Sequence, residues 1–176
     1  MRSQINPVEG EMVRIESFRE EWITERYSSW LRDESIHQFL VSGTKNTTLD
    51  EIAAYVKSLE ESEKDCFLAL LDKKTGVHIG NVRLQFYRDT GKGQYSMMIG
   101  DSSYHGKGLG TEVVRLVLQI CFTQLGLNKV FCEVVADNLP AVRVYAKNGF
   151  VVEKRLKDHF SKNGRLHDIL VMGVHS

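Results

Sequence analysis

The chain reads as a single α/β (α+β) domain in which strand-like runs alternate with amphipathic helical ones. Three observations predict this. A strand-like run over 94–99 passes through a glycine-rich turn into a long amphipathic run over 109–125. In that second run Val113, Val114, Leu116, Val117, Leu118, Ile120 and Phe122 leave only a polar stripe of Glu112, Arg115, Gln119 and Thr123, so the helix must pack on a sheet. Finally, 176 residues with 42% apolar and 26% charged content suffice for one domain with a sizeable core. Nothing repeats and prolines number only two, so 1–176 reads as one domain, with 1–10 a flexible leader.

The elements follow in order. Residues 12–15 form a first strand. Trp22, Ile23, Tyr27, Trp30 and Leu31 recur at helical spacing over 21–31, and 35–40 adds a short helix. Thr48 caps a helix over 49–59, with Glu51 completing a capping box. Residues 67–71 and 77–87 are strands joined by Asp72-Lys73-Lys74-Thr75-Gly76, and 88–93 turns into the strand 94–99. Gly126 ends the helix over 109–125. Residues 130–135 are an apolar strand, and Asn138 caps a helix over 139–147 with Pro140 in its first turn. Residues 150–156 and 167–174 close the chain as a hairpin around Ser161-Lys162-Asn163-Gly164.

Charge excludes some partners. The 23 basic and 23 acidic residues cancel, so nothing draws the whole chain to nucleic acid or to an anionic membrane, and neither is expected. No apolar stretch reaches spanning length, and the N-terminus lacks a signal-peptide core. Cys66, Cys121 and Cys132 lie far apart with no C-x-x-C, as expected of buried thiols in a reducing cytoplasm. His, Cys and carboxylates show no metal-ligand spacing, so no metal is expected. A homodimer is left open.

The turn itself reads His105-Gly106-Lys107-Gly108-Leu109-Gly110-Thr111. Such a turn leaves N–H groups uncovered at a helix N-terminus, and glycine lets phosphate oxygens approach the backbone. Lys107 and the Thr111 hydroxyl add donors. A P-loop is excluded: Gly100 stands six residues before Gly106 rather than five, and Gly108 follows Lys107 where the hydroxyl belongs. The dinucleotide pattern G-x-G-x-x-G is one residue longer than Gly106 to Gly110. A second motif runs from Glu133 through Asp137-Asn138-Leu139-Pro140-Ala141 to Tyr145-Ala146-Lys147-Asn148-Gly149-Phe150.

Together, in this order and with one helix and one strand between them, these motifs resemble those of the GNAT acyl-CoA N-acyltransferases. The first fits the Q/R-x-x-G-x-G/A loop, with His105 where Gln or Arg is usual. The resemblance covers 12–174 and is best after Tyr95. It implies the order β-α-α-β-β-β-α-β-α-β-β, a mixed and strongly twisted sheet with helices on both faces, and strands that splay apart on either side of the glycine loop. It implies acetyl-CoA as donor, its pyrophosphate on His105, Gly106, Lys107, Gly108, Leu109, Gly110 and Thr111, its pantetheine along Met97, Met98 and Ile99, with Asn138 and Tyr145 also at that site. Tyr145 matches the tyrosine that protonates the departing thiolate, a transfer between groups of similar basicity.

Glu133 stands five residues before Asn138 and twelve before Tyr145. It matches a general base of some ribosomal-protein N-terminal acetyltransferases, while a salt-bridged or edge-exposed charge is the structural alternative. Whether a base is needed depends on the amine: neutralising one of pKa ~10.4 at pH 7 costs about 4.6 kcal/mol, an α-amine near 7.7 about 1. Asp101, His105, His159, His167 and Asp168 read as solvated or structural polar groups.

The run Ile23 to Asp33, followed by Phe39-Leu40 and Thr48-Leu49-Asp50-Glu51, is similar to a branch acting on ribosomal-protein N-termini, polyamines and nucleotide-linked amino sugars. The Trp30-Leu31-x-Asp33 element looks most like the amino-sugar group. The first expectation is therefore an N-acetyltransferase for a small-molecule amine, with a nucleotide-linked amino sugar foremost. A protein N-terminus or a polyamine is the alternative, and a silent acyl-CoA-binding module the third. Tyr27, Trp30 and Asp33 are expected at the acceptor site, with Trp22 and Glu34 nearby.

Overall fold

A computed structural model describes residues 5–37, 39 and 47–176. The eight described strands form one sheet in the order β1-β2-β3-β4-β5-β6-β8-β7. They are β1 (Val8–Glu9), β2 (Val13–Ser17), β3 (Asp65–Asp72), β4 (His78–Tyr87), β5 (Lys92–Ile99), β6 (Lys129–Val135), β7 (Val151–Lys162) and β8 (Arg165–His175). Every neighbouring pair is antiparallel except β5–β6. The helices are α1 (Glu25–Arg32), α2 (Glu34–His37), α3 (Leu49–Glu61), α4 (Leu109–Gln119) and α5 (Leu139–Lys147). The expected mixed sheet with helices on both faces is therefore present, extended by β1; the helix expected over 35–40 is seen as Glu34–His37, and residues 38 and 40 lie outside the described residues.

Strand alternation builds the two faces. Along β3, Leu68 and Leu70 enter the core under α4 and α5, whereas Ala69 and Leu71 meet Tyr27, Trp30, Ile52 and Val56 from α1 and α3. Local chemistry sets the helix ends. Thr48 accepts from Glu51 N–H at 3.2 Å while Glu51 accepts from Thr48 N–H at 2.7 Å, completing the capping box. The helix expected over 21–31 begins only at Glu25, because the Thr24 side chain caps it and accepts from Tyr27 N–H. Glu20–Trp22 forms a separate 3-10 turn. The last turn after α4, Ile120–Gln124, widens to π geometry, with Leu125 N–H donating to the Ile120 carbonyl at 3.1 Å.

Two expectations are corrected here. The stretch 5–10, assigned to a flexible leader, packs instead. Ile5 and Val8 are buried in the α4-side core, and Val8 pairs with Ile15. Residues 1–4 lie outside the described residues. Glu112, placed on the polar stripe of its helix, is buried; its carboxylate accepts from the N–H groups of Met12 and Val13 at 3.0 and 3.3 Å. A folded chain brings those two unpaired donors to the helix, and a single carboxylate satisfies both.

The sheet opens in the middle. β5 pairs with β4 along its whole length, to Ile99, but with β6 only from Lys92 to Gln94. Beyond Phe131, β6 pairs only with β8, through Val135. The parallel strands therefore part after three residue pairs, leaving a wedge between 95–99 and 132–135. No helix among the described residues is long and apolar enough to cross a membrane.

Candidate active site

The wedge ends in the glycine turn. Gly100 and Asp101 donate N–H groups to the Ile79 carbonyl at 2.9 and 3.2 Å, and Asp101 caps a 3-10 turn, Ser102–Tyr104. Gly106 and Gly108 then take φ of 73° and 85°, left-handed values that glycine adopts freely. A Cβ built on either would meet no atom within 4 Å, so both border open space. Gly108 occupies the N-cap of α4 and no side chain caps it, so N–H groups of the first turn, Leu109 to Thr111, face outward without intrahelical partners. Uncovered donors beside an open, glycine-walled space fit the pyrophosphate of coenzyme A.

The loop residues differ in what they can offer. Leu109 is buried in the core, so only its backbone can serve. Gly110 has an ordinary φ, and an added Cβ would touch Val144 of α5 at 3.5 Å, so it sets helix–helix distance. Lys107 is exposed and Thr111 half-buried. His105 Nε2 donates to the Ile99 carbonyl at 2.8 Å, fastening the loop to the end of β5. Met97 and Ile99 pack toward α4, and Met98 toward α1.

Tyr145 stands at the apex of the wedge. It is 6% exposed and packs edge-on against Tyr95 at 5.9 Å and near Phe150 at 5.6 Å. Burial pushes its phenol well above the usual tyrosine range; the Cys132 thiol acts in the same direction, and a hydrogen bond with Tyr95 opposes them. Tyr95 and Cys132 are the first residues past the last β5–β6 pair. The phenol therefore keeps its proton at neutral pH, at the depth where the strands part, and is a weaker acid there than the similar basicity expected from the sequence.

Glu133 lies on the other face of β6. Its neighbours Cys132 and Val134 turn into the core beneath α4, while Glu133 is exposed and makes no side-chain hydrogen bond or ion pair among the described residues. Asn138 uses its side chain to cap α5, accepting from Ala141 N–H at 3.3 Å. Structural partners occupy other polar candidates: Asp101 pairs with Arg26, His167 with Asp137 at 2.9 Å, and Asp168 with Arg155 at 2.6 Å.

On the α1 face, Tyr27 and Trp30 are buried rather than lining an open pocket. Trp30 covers Gly100 so closely that a Cβ there would fall 2.0 Å from its ring. Asp33 is exposed and accepts from the N–H and hydroxyl of Ser35. Those bonds hold its carboxyl below the usual range, and the charge of His105 adds to the effect, so Asp33 sits near the glycine loop. His78 and Asn81, read only as part of a strand, prove to be buried polar residues at the centre of this face. Gly80 in an apolar run was the available signal, since glycine within a strand marks bulges. No group of metal-binding side chains exists among the described residues.

The profile described as acetyltransferase (GNAT) domain matches residues 13–151. Human alpha/beta-tubulin-N-acetyltransferase 9 is 28% identical over 153 residues, covering 80% of this chain and 73% of the relative. Spermidine N(1)-acetyltransferase of Escherichia coli is 30% identical over 120 residues, covering 68% and 63%. The crystal structure of Vibrio cholerae spermidine N-acetyltransferase with CoA and spermine superposes with a TM-score of 0.84 at 21% identity, covering 94% of this chain and 96% of that one. The amino-sugar expectation finds no support among these relatives. The Trp30 that suggested it is a core residue, 5% exposed.

Proposed function

The chain belongs to the GNAT acetyltransferases and is an enzyme of that family, taking its acetyl group from acetyl-CoA; we propose that it passes the group to a primary amine of a small polyamine of the spermidine type. The transfer chemistry rests on the β5–β6 wedge, with Tyr145 at its apex and Glu133 on the opposite face of β6, and the spermidine-type acceptor rests on the similarity to the spermidine enzyme. Acetyl-CoA supplies an activated thioester, so positioning provides much of the rate. Met97, Met98 and Ile99 orient the donor along β5, and the glycine turn from His105 to Thr111 holds its pyrophosphate, with Asn138 at the far side. Glu133 takes a proton from the acceptor's ammonium group, directly or through water, freeing the lone pair that forms the C–N bond. The proton the nitrogen sheds as the amide forms balances the one given to sulfur. Tyr145 gives its proton to the sulfur as the C–S bond breaks. An alkyl amine near pKa 10.4 gives Glu133 a reason to exist.

A protein N-terminus is the second reading, favoured by the longer match to the tubulin acetyltransferase, 80% of this chain against 68% for the spermidine enzyme. Thiol release from acetyl-CoA, measured with spermidine, a peptide bearing a free N-terminus and a nucleotide-linked amino sugar, separates these. Spermidine should give the highest kcat/KM. A preference for the peptide would transfer the assignment to the second reading.

A further inference from the structure

Residues three apart in a regular strand point to opposite faces. His78 Nε2 and Asn81 Oδ1 nevertheless meet at 2.8 Å. The cause is a bulge in β4: Leu70 pairs with Gly80 and Leu71 with His78, leaving Ile79 unpaired between them. Ile79 joins Val82 and Leu84 in the core under α4, and the slipped phase puts His78 and Asn81 together on the α1 face. Bulges re-aim side chains in this way beside active sites.

Four rings fix the imidazole: Trp30 at 5.0 Å, Phe18 at 5.6 Å, Trp22 at 5.7 Å and Tyr27 at 5.8 Å. It holds one end of the Asn81 amide, and the other end is buried without a hydrogen-bond partner among the described residues. Asn81 is only 4% exposed, and a bond left unmade at such depth is destabilising. The other such atom among the described residues, Arg14 Nε, belongs to a guanidinium already paired with Glu16 at 2.7 Å. Asn81 therefore keeps an unmet bond that packing does not require.

Its position gives that bond a use. Asn81 is the cross-strand neighbour of Met98 on β5, which packs on the same face, and Met97 and Ile99 border the wedge. We propose that Asn81, oriented by His78, binds the reacting primary amine of the acceptor and turns its lone pair toward the wedge. A half-turn of the amide exchanges its ends, and a neutral imidazole serves as donor or acceptor according to tautomer. With the acceptor present, Asn81 donates from Nδ2 to His78 Nε2 and accepts the amine N–H on Oδ1. The inference rests on the wedge as the transfer site, not on spermidine in particular.

Kinetics of Asn81→Leu and of the double variant H78F/N81L, with spermidine and with a free-N-terminus peptide, test it. The acceptor KM should rise about five- to tenfold, the worth of one hydrogen bond, while that for acetyl-CoA stays within about twofold. The double variant replaces both polar partners with apolar groups of similar shape, so its Tm should match or exceed that of the wild type. An unchanged acceptor KM in an active enzyme overturns this inference alone, and so does a double variant that loses stability. A wild type that binds acetyl-CoA but acetylates neither amine sinks the acceptor reading and this inference together.

Discussion

The His105 imidazole donates from Nε2 to the Ile99 carbonyl at 2.8 Å, joining the first position of the glycine loop to the last residue of β5. The bond fixes the loop where β5 ends and the wedge begins. His105→Ala should therefore raise the acetyl-CoA KM by roughly three- to tenfold, the worth of one hydrogen bond. His105→Gln, which keeps a donor, should recover most of it. Tm should scarcely change, since His105 is exposed. Equal KM values in all three proteins would confine the bond to loop geometry.

The glycines divide by conformation. Gly108 has φ +85° and open space beyond it, whereas Gly110 has an ordinary φ and a neighbour at 3.5 Å. Gly108→Val puts a branched side chain into left-handed backbone, at about 1–2 kcal/mol, and into the space assigned to phosphate. It should abolish the thermal shift produced by acetyl-CoA, which in the wild type grows as RT ln(1 + [L]/Kd). Gly110→Ala should keep most of that shift. The reverse ranking would move the pyrophosphate off Gly108.

Glu133 is exposed and makes no side-chain hydrogen bond or ion pair among the described residues, which leaves it open to the base role proposed above. Glu133→Gln should lose activity mainly at low pH, where the acceptor is protonated, and recover as pH rises toward the amine pKa. A pH-rate profile decides it: a loss of equal size at every pH would give Glu133 a positioning role.

His78 makes stability depend on pH. Burial holds its pKa below the ordinary 6.5; hydrogen bonds with Asn81 and the Gly80 backbone oppose this, and the charge of Arg26 on α1 reinforces it. The unfolded chain thus binds this proton more readily than the folded one. The stabilisation is complete above about pH 6.5 and drains away as pH falls from there through the lower folded value, at no more than about 1.4 kcal/mol per pH unit. Denaturant midpoints between pH 8 and 5 should fall more steeply for the wild type than for H78F/N81L. Parallel curves would mean that His78 does not titrate in this range.

How much of this the sequence carried depended on whether local chemistry marked it. Helix α5 appears at its expected bounds because Asn138 caps one end and Gly149, at φ 85°, follows the other. The capping box at Thr48 and the glycine turn are local in the same sense. The two-residue β1, the burial of Glu112 and the joining of His78 to Asn81 are not. Each depends on a partner that arrives only with the folded sheet, Met12 and Val13 for Glu112 and a register slip against β3 for the histidine. Tyr145 was legible through its motif, but its place beside the wedge, next to Tyr95 and Cys132, is a property of the register between β5 and β6.

Tyr145→Phe tests the central claim most directly. The ring and its contacts with Tyr95 and Phe150 remain, and only the buried hydroxyl is lost. If Tyr145 delivers its proton to the departing sulfur, kcat should fall by about a hundredfold or more, with the acetyl-CoA thermal shift intact. Single-turnover kinetics reads the chemical step itself; an undiminished rate there would contradict the account and leave Tyr145 a packing residue.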